Sequence, residues 1–486
     1  MRAWIWVGVV AMAVAMGARA APPTTAPAAN LPQGAKQQRQ PAAATAAPPR
    51  AAAPARPAAA ASSATSGALL PLPESEPAIR GYAVPIGGAL KADNEEVWQR
   101  IVQLAGGKGS RFVVFGTASE DPEASAKQVV DLLQRRGAVA EALPVAPKFL
   151  WVDLNKVVRD PALIAKVKAA KGIFFTGGTQ ERIVDVLLPG GQSTPMLEAI
   201  WDVYRKGGVV AGTSAGAAIM STIMFRDAPS SINILKGRIV DGKQVDRGLG
   251  FVGPELFVDQ HFLKRGRIGR MVPLMMAKGY KLGLGVDENT AAIIRGDEIE
   301  VIGDRGALIV DLTEAKTDAT LGAFNVEGAR ISYLEHGDRY HMRARSTTPS
   351  APKLRGELHD AESPNFRAYY TEDYLSLDML GDSTISNMMM RLIDSYRREF
   401  KGLAFDALPR PGDPLAELGF LFRVYKGSDS LGWSTEEFGG EQFTVTNLYL
   451  DISPVRLPMP LYGGWAGQPK SAATGASAST PPASMP

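Results

Sequence analysis

The sequence predicts an α/β protein with a doubly wound, mostly parallel sheet, followed by a smaller α+β extension. Two observations support this prediction. Short apolar runs rich in Val, Ile and Phe alternate with helix-compatible segments between residues 81 and 188, which is typical of a sheet with helices on both faces. Three later apolar runs, within 208–216, 256–261 and 282–288, end in polar side chains. Such side chains suit the carboxyl ends of parallel strands, where ligands bind in open α/β sheets.

The elements of the first region follow in a regular order. Most of the expected strands are rich in β-branched or aromatic residues and lie close to a glycine, and the expected helices carry apolar residues at helical spacing. The order is strand 81–89, helix 97–105, strand 111–117, helix 124–136, strand 138–143, helix 161–170, strand 172–175 and helix 180–188. The pairs Gly87-Gly88 and Gly177-Gly178 lack the further glycines or the lysine of a phosphate-binding loop, so no nucleotide cofactor is expected.

The pattern changes after Arg343. Residues 346–363 are expected to be loop-like, 385–400 helical, and 420–425 and 442–455 to form strands. About 120 residues suffice for a small α+β module that packs on the main sheet. Its role is not indicated by the sequence.

The composition along the chain predicts five segments. Residues 1–20 combine Arg2, an uncharged apolar stretch and the small residues around a cleavage site after Ala20, so we expect a signal peptide and a secreted or periplasmic protein. Alanine and proline dominate 21–69 and recur in 466–486, which predicts a disordered linker and tail. The main domain then spans 70–343 and the extension 344–465.

The overall composition excludes several classes of protein. The net charge is only +3, and basic residues are not interleaved with aromatic ones, so nucleic acid is not an expected partner. No segment after the leader is long and apolar enough to predict a membrane span in the mature protein. The chain has no cysteine, which excludes disulfides and a thiol nucleophile.

The motif Gly212-Thr213-Ser214-Ala215-Gly216 follows an apolar run and precedes a helix-compatible stretch. A serine on such a strand-turn-helix is exposed by a sharp turn, and the small neighbours allow the backbone to pass close to it. The N–H after the serine then points at an oxyanion formed on an attacked carbonyl. The motif therefore indicates a nucleophilic serine.

The base for this serine must come from only four histidines. His261 follows a short apolar run and stands beside Asp259 and Gln260, whereas the other three have no such context. Asp287 and Glu288 end the next apolar run. The order serine, histidine, acid differs from the serine, acid, histidine order of α/β-hydrolases, which argues against a lipase or esterase.

Four motifs together resemble the cyanophycinase and aspartyl dipeptidase family of serine peptidases. They are Phe174 to Gln180, Gly212 to Ala217, Asp259 to Arg270 and Gly285 to Ala291, in the family's order and spacing, and the similarity covers about 80–342. The resemblance implies a fold similar to class I glutamine amidotransferases, with serine in place of their cysteine. It also makes 70–343 the catalytic domain.

The resemblance further implies a role for each matched residue. Ser214 would be the nucleophile, His261 the general base and Glu288 the acid that orients the imidazole, with Asp287 and Asp259 left open for that role. The N–H groups of Gly178 and Ala215 would form the oxyanion hole. The positions associated with substrate binding are Gln180, Asp259, Gln260, Arg265, Arg267 and Arg270.

The substrate that the family implies is cyanophycin, a poly-aspartate chain with arginine on each β-carboxyl group. Each repeat has a carboxylate and a guanidinium, and arginine side chains bind carboxylates bidentately. The expected activity is hydrolysis to β-Asp-Arg dipeptides through an acyl-enzyme, without a metal or cofactor. Two alternatives stay open: an aspartyl or isoaspartyl dipeptidase acting on short peptides, and a non-catalytic module that binds a peptide or polymer at the cell envelope. Association into a homodimer is also left open.

Overall fold

The computed structural model describes residues 81–226 and 230–461. The predicted signal peptide, the predicted linker and the predicted tail lie outside the described residues. The described residues form two nine-stranded sheets and one two-stranded sheet. None of their helices is both long and apolar enough to cross a membrane.

The strands, numbered in chain order, are β1 Tyr82–Ile86, β2 Arg111–Phe115, β3 Val139–Leu143, β4 Gly172–Phe175, β5 Val209–Thr213, β6 Ile223–Phe225, β7 Val245–Arg247, β8 Leu256–Asp259, β9 Leu282–Val286, β10 Thr290–Arg295, β11 Glu298–Gly303, β12 Ala307–Asp311, β13 Val326–Leu334, β14 Arg339–His341, β15 Ser346–Thr348, β16 Glu357–His359, β17 Leu375–Ser376, β18 Glu399–Ala404, β19 Leu418–Thr435 and β20 Gln442–Arg456.

The α-helices are α1 Glu95–Leu104, α2 Pro122–Arg135, α3 Leu154–Val157, α4 Pro161–Ala169, α5 Gln180–Leu187, α6 Pro195–Arg205, α7 Ala215–Ala218, α8 Ser231–Leu235, α9 Ile268–Lys278, α10 Ala351–Arg355 and α11 Thr384–Ile393.

The first sheet contains the parallel strands that the sequence predicts. Its parallel part has the order β1-β5-β4-β2-β3. Helices α1 and α2 pack on one face, and α5 and α6 pack on the other. Strands β10, β11, β14 and β15 extend the sheet beyond β1 and are antiparallel. The sheet is therefore mixed, and the predicted mostly parallel sheet is correct only for the β1 to β5 part.

The second sheet contains β8 and β9, so the three polar strand ends do not belong to one sheet. These two strands are parallel to each other, and β9 then pairs antiparallel with β12. The sheet continues in the order β12-β13-β20-β19-β18-β17, and β16 pairs with β19. Residues after Arg343 thus supply β15 to the first sheet and most strands of the second.

The glycines of β9 explain how this strand is covered. A Cβ on Gly285 would lie 2.2 Å from the Phe262 ring, and one on Gly283 would lie 2.5 Å from the sulfur of Met275. Phe262 and helix α9 therefore contact the backbone of β9 directly. This close packing fixes the chain that follows β8 against the end of β9.

Two predictions for the C-terminal region are wrong in detail. The helix expected over 385–400 ends at Ile393, and β18 begins at Glu399. The stretch 346–363 contains β15, α10 and β16 rather than loop alone. The predicted strands at 420–425 and 442–455 are present, as parts of the longer strands β19 and β20.

A buried ion pair connects both sheets. Asp338, in the turn before β14, and Lys353 of α10 are fully buried, and their side chains lie 2.7 Å apart. The lysine also donates to the carbonyl of Phe443 at 3.0 Å, and Thr444 donates to Asp338 at 2.6 Å. Since Phe443 and Thr444 belong to β20, this network holds the end of β14, α10 and β20 together.

Candidate active site

Ser214 stands on a strained turn between β5 and α7. Its φ is 54° and its ψ is −107°, a conformation that a residue with a side chain rarely adopts. The backbone passes very close on both sides, because a Cβ on Gly212 would lie 2.3 Å from the Gly216 carbonyl and one on Gly216 would lie 2.5 Å from the Phe175 carbonyl. The Gly-x-Ser-x-Gly spacing is therefore required by packing at this turn.

His261 lies directly over the serine. Its Nε2 is 2.8 Å from the Ser214 Oγ, although the two residues follow strands of different sheets. The His261 N–H donates to the Gly87 carbonyl at 2.6 Å, and a Cβ on Gly88 would lie 2.2 Å from the imidazole. The glycine pair after β1 is thus the surface on which the ring packs.

Glu288 completes a chain of hydrogen bonds, because its Oε1 lies 2.6 Å from the His261 Nδ1. The other two candidate acids have different partners. Asp287 accepts from the Lys264 N–H at 3.0 Å and from Arg305 at 3.2 Å. Asp259 is bound by Arg267 and Arg270. Among the three carboxylates, the geometry brings Glu288 to the imidazole.

The surroundings of His261 favour its neutral form. Burial lowers the pKa of His261 below its ordinary value; the hydrogen bond that the ring donates to Glu288 opposes this effect, and the charges of Arg265 and Arg267 add to it. A neutral imidazole whose Nδ1–H donates to Glu288 presents the lone pair of Nε2 to the serine hydroxyl. The ring can therefore accept the serine proton at neutral pH.

The two backbone N–H groups predicted for an oxyanion hole lie beside Ser214. Ala215 is the next residue and begins α7, and a Cβ on Gly177 would lie 3.3 Å from the Ser214 Cβ. Within the described residues, neither the Gly178 N–H nor the Ala215 N–H donates a hydrogen bond. Both donors are thus available for a charge that develops on a substrate carbonyl.

The predicted arginines, which follow His261 in the chain, line a pocket of about 430 Å³; we call it the arginine pocket. Arg270 donates from its Nε and Nη2 to the carboxylate of Asp259, which is buried in the protein interior. Arg267 contacts Asp259 and the Gln260 carbonyl. Arg265 is exposed, and among the described residues no hydrogen bond or ion pair to its guanidinium is found. The free guanidinium is therefore that of Arg265.

The charged groups around this pocket shift one another's pKa values. Burial alone would raise the pKa of the Asp259 carboxyl, but Arg270 and Arg267 hold it below its ordinary value. Burial and the adjacent Arg270 lower the pKa of Arg267 to about 9, which leaves it protonated at neutral pH. With three guanidinium groups and one carboxylate, the pocket is positive and suits an anion.

The two predicted glutamines differ in their surroundings. Gln180 donates through Nε2 to the carbonyls of Phe225 at 2.7 Å and Arg226 at 3.2 Å, so its amide group holds the end of β6. Gln260 is 3% exposed, and its Oε1 has no hydrogen-bond partner among the described residues. An unpaired buried acceptor is uncommon in a folded protein, and this one stands next to His261 in the chain.

Sequence reasoning missed three parts of the site. It gave no role to Gly87 and Gly88, although these glycines, placed after a strand, were the available signal. It also missed Leu380 and Phe405, which line the arginine pocket from the C-terminal region. No local pattern around Leu380 or Phe405 could have shown this, because their position depends on long-range packing.

The arrangement is suited to acyl transfer by a serine nucleophile. It contains a hydroxyl in contact with a neutral imidazole, an acid that orients the ring, and two free N–H groups beside the hydroxyl. These are the parts that acyl transfer requires. Among the described residues, no group of three or more histidine, aspartate and glutamate side chains converges in a way that could hold a metal ion.

Comparison with known proteins gives consistent matches. The sequence profile of peptidase family S51 matches residues 85–302. The cyanophycinase of Trichormus variabilis is 31% identical over 287 residues, which are 57% of this chain and 91% of that protein. The cyanophycinase of Geminocystis herdmanii is 32% identical over 274 residues, covering 54% and 95%.

Among solved structures, a peptidase from an acI-B1 actinobacterium is 22% identical, with a TM-score of 0.38, and covers 48% of this chain and 92% of that chain. The residues matched by the family profile include Ser214, His261 and Glu288 and end before β12.

Proposed function

Because this chain belongs to peptidase family S51 and is a serine peptidase, we propose that it hydrolyses cyanophycin to β-Asp-Arg dipeptides through an acyl-enzyme on Ser214. The observation that supports this proposal most directly is the hydrogen-bonded chain from Ser214 through His261 to Glu288 beside a pocket of three arginines. Relatives that carry the name cyanophycinase support the choice of substrate.

In the proposed first half-reaction, the Ser214 Oγ attacks the carbonyl carbon of an aspartyl amide. His261 takes the serine proton on Nε2, and the resulting imidazolium is stabilised by Glu288. The negative charge that forms on the carbonyl oxygen is bound by the N–H groups of Gly178 and Ala215. His261 then gives the proton to the leaving amine, the C–N bond breaks, and an ester remains on Ser214.

In the second half-reaction, water attacks this ester. His261 accepts a proton from the water and returns one to the Ser214 Oγ as the ester bond breaks, so the enzyme regains its starting protonation. The product acid leaves with a new carboxylate. The close backbone packing around Gly212 and Gly216 supports the turn that positions the Oγ for both steps.

The arginine pocket would bind the substrate before the reaction. Arg265 has a free planar guanidinium, which fits the free carboxylate of a repeat bidentately. Arg267 and Arg270 add positive potential and keep Asp259 ionised. The unpaired Oε1 of Gln260 offers an acceptor for a substrate N–H.

The test is hydrolysis of purified cyanophycin, followed by mass analysis of the products. We expect β-Asp-Arg from the wild type. Ser214→Ala should keep the circular dichroism spectrum but lower kcat by several orders of magnitude, because the nucleophile is lost. Ser110→Ala is a matched control, since this serine precedes the amino end of β2, whereas Ser214 follows the carboxyl end of β5, and its change should leave kcat unaltered.

Other results would select an alternative. Cleavage of short aspartyl peptides without cleavage of the polymer would support a dipeptidase. Failure of a fluorophosphonate to label Ser214, together with binding of the polymer, would support a non-catalytic module. More than about a tenth of the wild-type kcat in Ser214→Ala would remove this serine from the mechanism.

We also propose that the enzyme acts outside the cytoplasm. The support is the leader-like sequence of residues 1–20 with its small residues before position 21. Sequencing the amino terminus of protein recovered from the periplasm or the medium should give Ala21 as the first residue.

A further inference from the structure

A second charged pocket lies next to the arginine pocket. It has a volume of about 510 Å³, and the residues relevant here are Asn233, Arg238, Lys243, Asp406, Arg410 and Asp413. Both pockets have volumes within the range of roughly 300 to 1,000 Å³ that is typical of small-molecule sites.

The two pockets share the same two walls. Helix α8 and the residue before it supply Ser230, Ser231 and Ile232 to the arginine pocket, and the next residue, Asn233, lines the second pocket. Likewise, Phe405 lines the first pocket and Asp406 the second. Because residues that are consecutive in the chain line one pocket and then the other on both walls, the two cavities lie close together.

Part of the second pocket is already neutralised by internal ion pairs. Arg238 binds both oxygens of Asp413 at 2.7 Å and also donates to Asn233 at 2.8 Å. The Leu415 N–H, Arg238 and the nearby Lys236 together hold the pKa of Asp413 below its ordinary value. These groups form a fixed wall rather than a free binding surface.

Three charges in this pocket remain for a ligand. Lys243 and Arg410 are exposed, and among the described residues no hydrogen bond or ion pair to either side-chain cation is found. Asp406 accepts only a local hydrogen bond from the Leu408 N–H. Two free cations and one carboxylate match a ligand unit that carries both an anionic and a guanidinium group.

The second pocket depends on residues that the family profile does not match. The profile ends at residue 302, whereas Asp406, Arg410 and Asp413 follow β18. Contacts with the loop after His261 hold this region in place. Asp382 pairs with Lys264, and the Ser383 N–H donates to the Leu263 carbonyl at 3.0 Å. The C-terminal region thus packs on the loop that leads into the arginine pocket.

We propose that this second pocket is a subsite for the next repeat of a polymeric substrate, so that the C-terminal region lengthens the substrate groove and selects polymer over short peptides. The proposal rests on the proposed function. Lys243 and Arg410 bind the carboxylate of the distal repeat, and Asp406 binds its guanidinium. A substrate with one repeat on each side of the scissile amide fills the arginine pocket but does not reach the second pocket.

The test compares kcat/KM for (β-Asp-Arg)2, (β-Asp-Arg)4 and the polymer. In the double variant Lys243→Gln/Arg410→Gln, we expect kcat/KM to fall about tenfold for the four-repeat substrate and the polymer, mainly through KM, because two charged contacts are lost. For (β-Asp-Arg)2, kcat/KM of the double variant should stay within about twofold of the wild-type value. The loss of kcat/KM of the double variant on the longer substrates should become smaller as salt is added, because salt screens the charges.

The matched control is Lys108→Gln/Arg111→Gln, which makes the same change of charge. These residues lie at the amino end of β2, whereas Ser214 follows the carboxyl end of the parallel strand β5. The control variant should leave kcat/KM unchanged for all three substrates. Equal values for wild type and the Lys243/Arg410 variant on the longer substrates would overturn the subsite, and so would an equal loss on all three. If the wild type hydrolyses none of the three, the proposed function itself is wrong, and the subsite falls with it.

Discussion

At the scale of single residues, two neighbouring carboxylates at the end of β9 bind different partners. Successive side chains of an extended chain point in opposite directions. Asp287 is fully buried and binds the Lys264 N–H and Arg305, while Glu288 reaches His261. The first residue binds the loop that follows the histidine, and the second accepts a hydrogen bond from the imidazole ring.

This difference predicts the effect of replacing each acid. Glu288→Gln should lower kcat at least 100-fold, because an amide that donates to Nδ1 stabilises the wrong tautomer of His261. Asp287→Asn keeps an acceptor for the Lys264 N–H but removes the charge that pairs with Arg305. It should therefore lower the free energy of unfolding and leave kcat less affected. Measuring kcat and urea denaturation for both variants checks this, and a larger loss of kcat in Asp287→Asn would move the acid role to that residue.

The pH dependence follows from the environment of His261. Its pKa is lowered, so if the neutral ring is the base, as proposed, kcat/KM should be retained below pH 6.5 and fall only at lower pH. Arg265→Gln removes a charge that disfavours the imidazolium, so it should raise the pKa and move the acid limb upward by a few tenths of a pH unit. Lys171→Gln, which replaces a residue at the amino end of β4, should not move it. A limb unchanged or lowered in Arg265→Gln would contradict this reading.

At the scale of elements, the ion pair of Asp338 and Lys353 shows how α10 is held between the sheets. Both side chains are fully buried, and the aspartate also accepts from Thr444 and from the Ser350 N–H. A buried pair is not stabilising in itself, because both charges lose their hydration. Removing one partner, however, leaves the other charge buried without compensation.

Lys353→Met should therefore destabilise the protein by about 3 to 5 kcal/mol, measured as the free energy of unfolding in urea. Arg355→Ala is the control on the same helix. Arg355 pairs with Glu437 at the surface, and its loss should cost less than about 1 kcal/mol. Similar small losses in both variants would show that the network of Asp338 does not hold the elements together.

At the scale of the whole molecule, the C-terminal region is part of the second sheet. Strand β20 pairs with β13 and β19, and one hydrophobic core contains residues from both sides of Arg343, among them Phe257, Met271, Phe422 and Val445. Cutting the chain after Arg343 would expose the β13 edge and one side of this core.

A chain ending at Arg343 should consequently fail to fold, although it retains Ser214, His261 and Glu288. We expect aggregation on expression, or a far-ultraviolet circular dichroism spectrum without a cooperative thermal transition. A chain ending at Leu461 is the control and should melt cooperatively. A soluble, cooperatively folded chain ending at Arg343 would show that the second sheet is stable without β16 to β20.

The sequence by itself determined the local features of this protein. The Gly-x-Ser-x-Gly turn, the alternation of β1 to β5 with helices and the choice of His261 depend on residues that are close in the chain. Their physical causes, backbone strain, side-chain periodicity and the scarcity of histidine, are visible in the printed sequence.

Only the tertiary structure decided which distant groups meet. Glu288 rather than Asp287 contacts the imidazole, Arg270 binds Asp259 in the interior, and Phe405 lines the arginine pocket. The division of the strands between two sheets was also beyond the sequence, because an apolar run does not specify its pairing partner. Such contacts depend on how sheets and helices pack, and packing couples residues that are far apart in the chain.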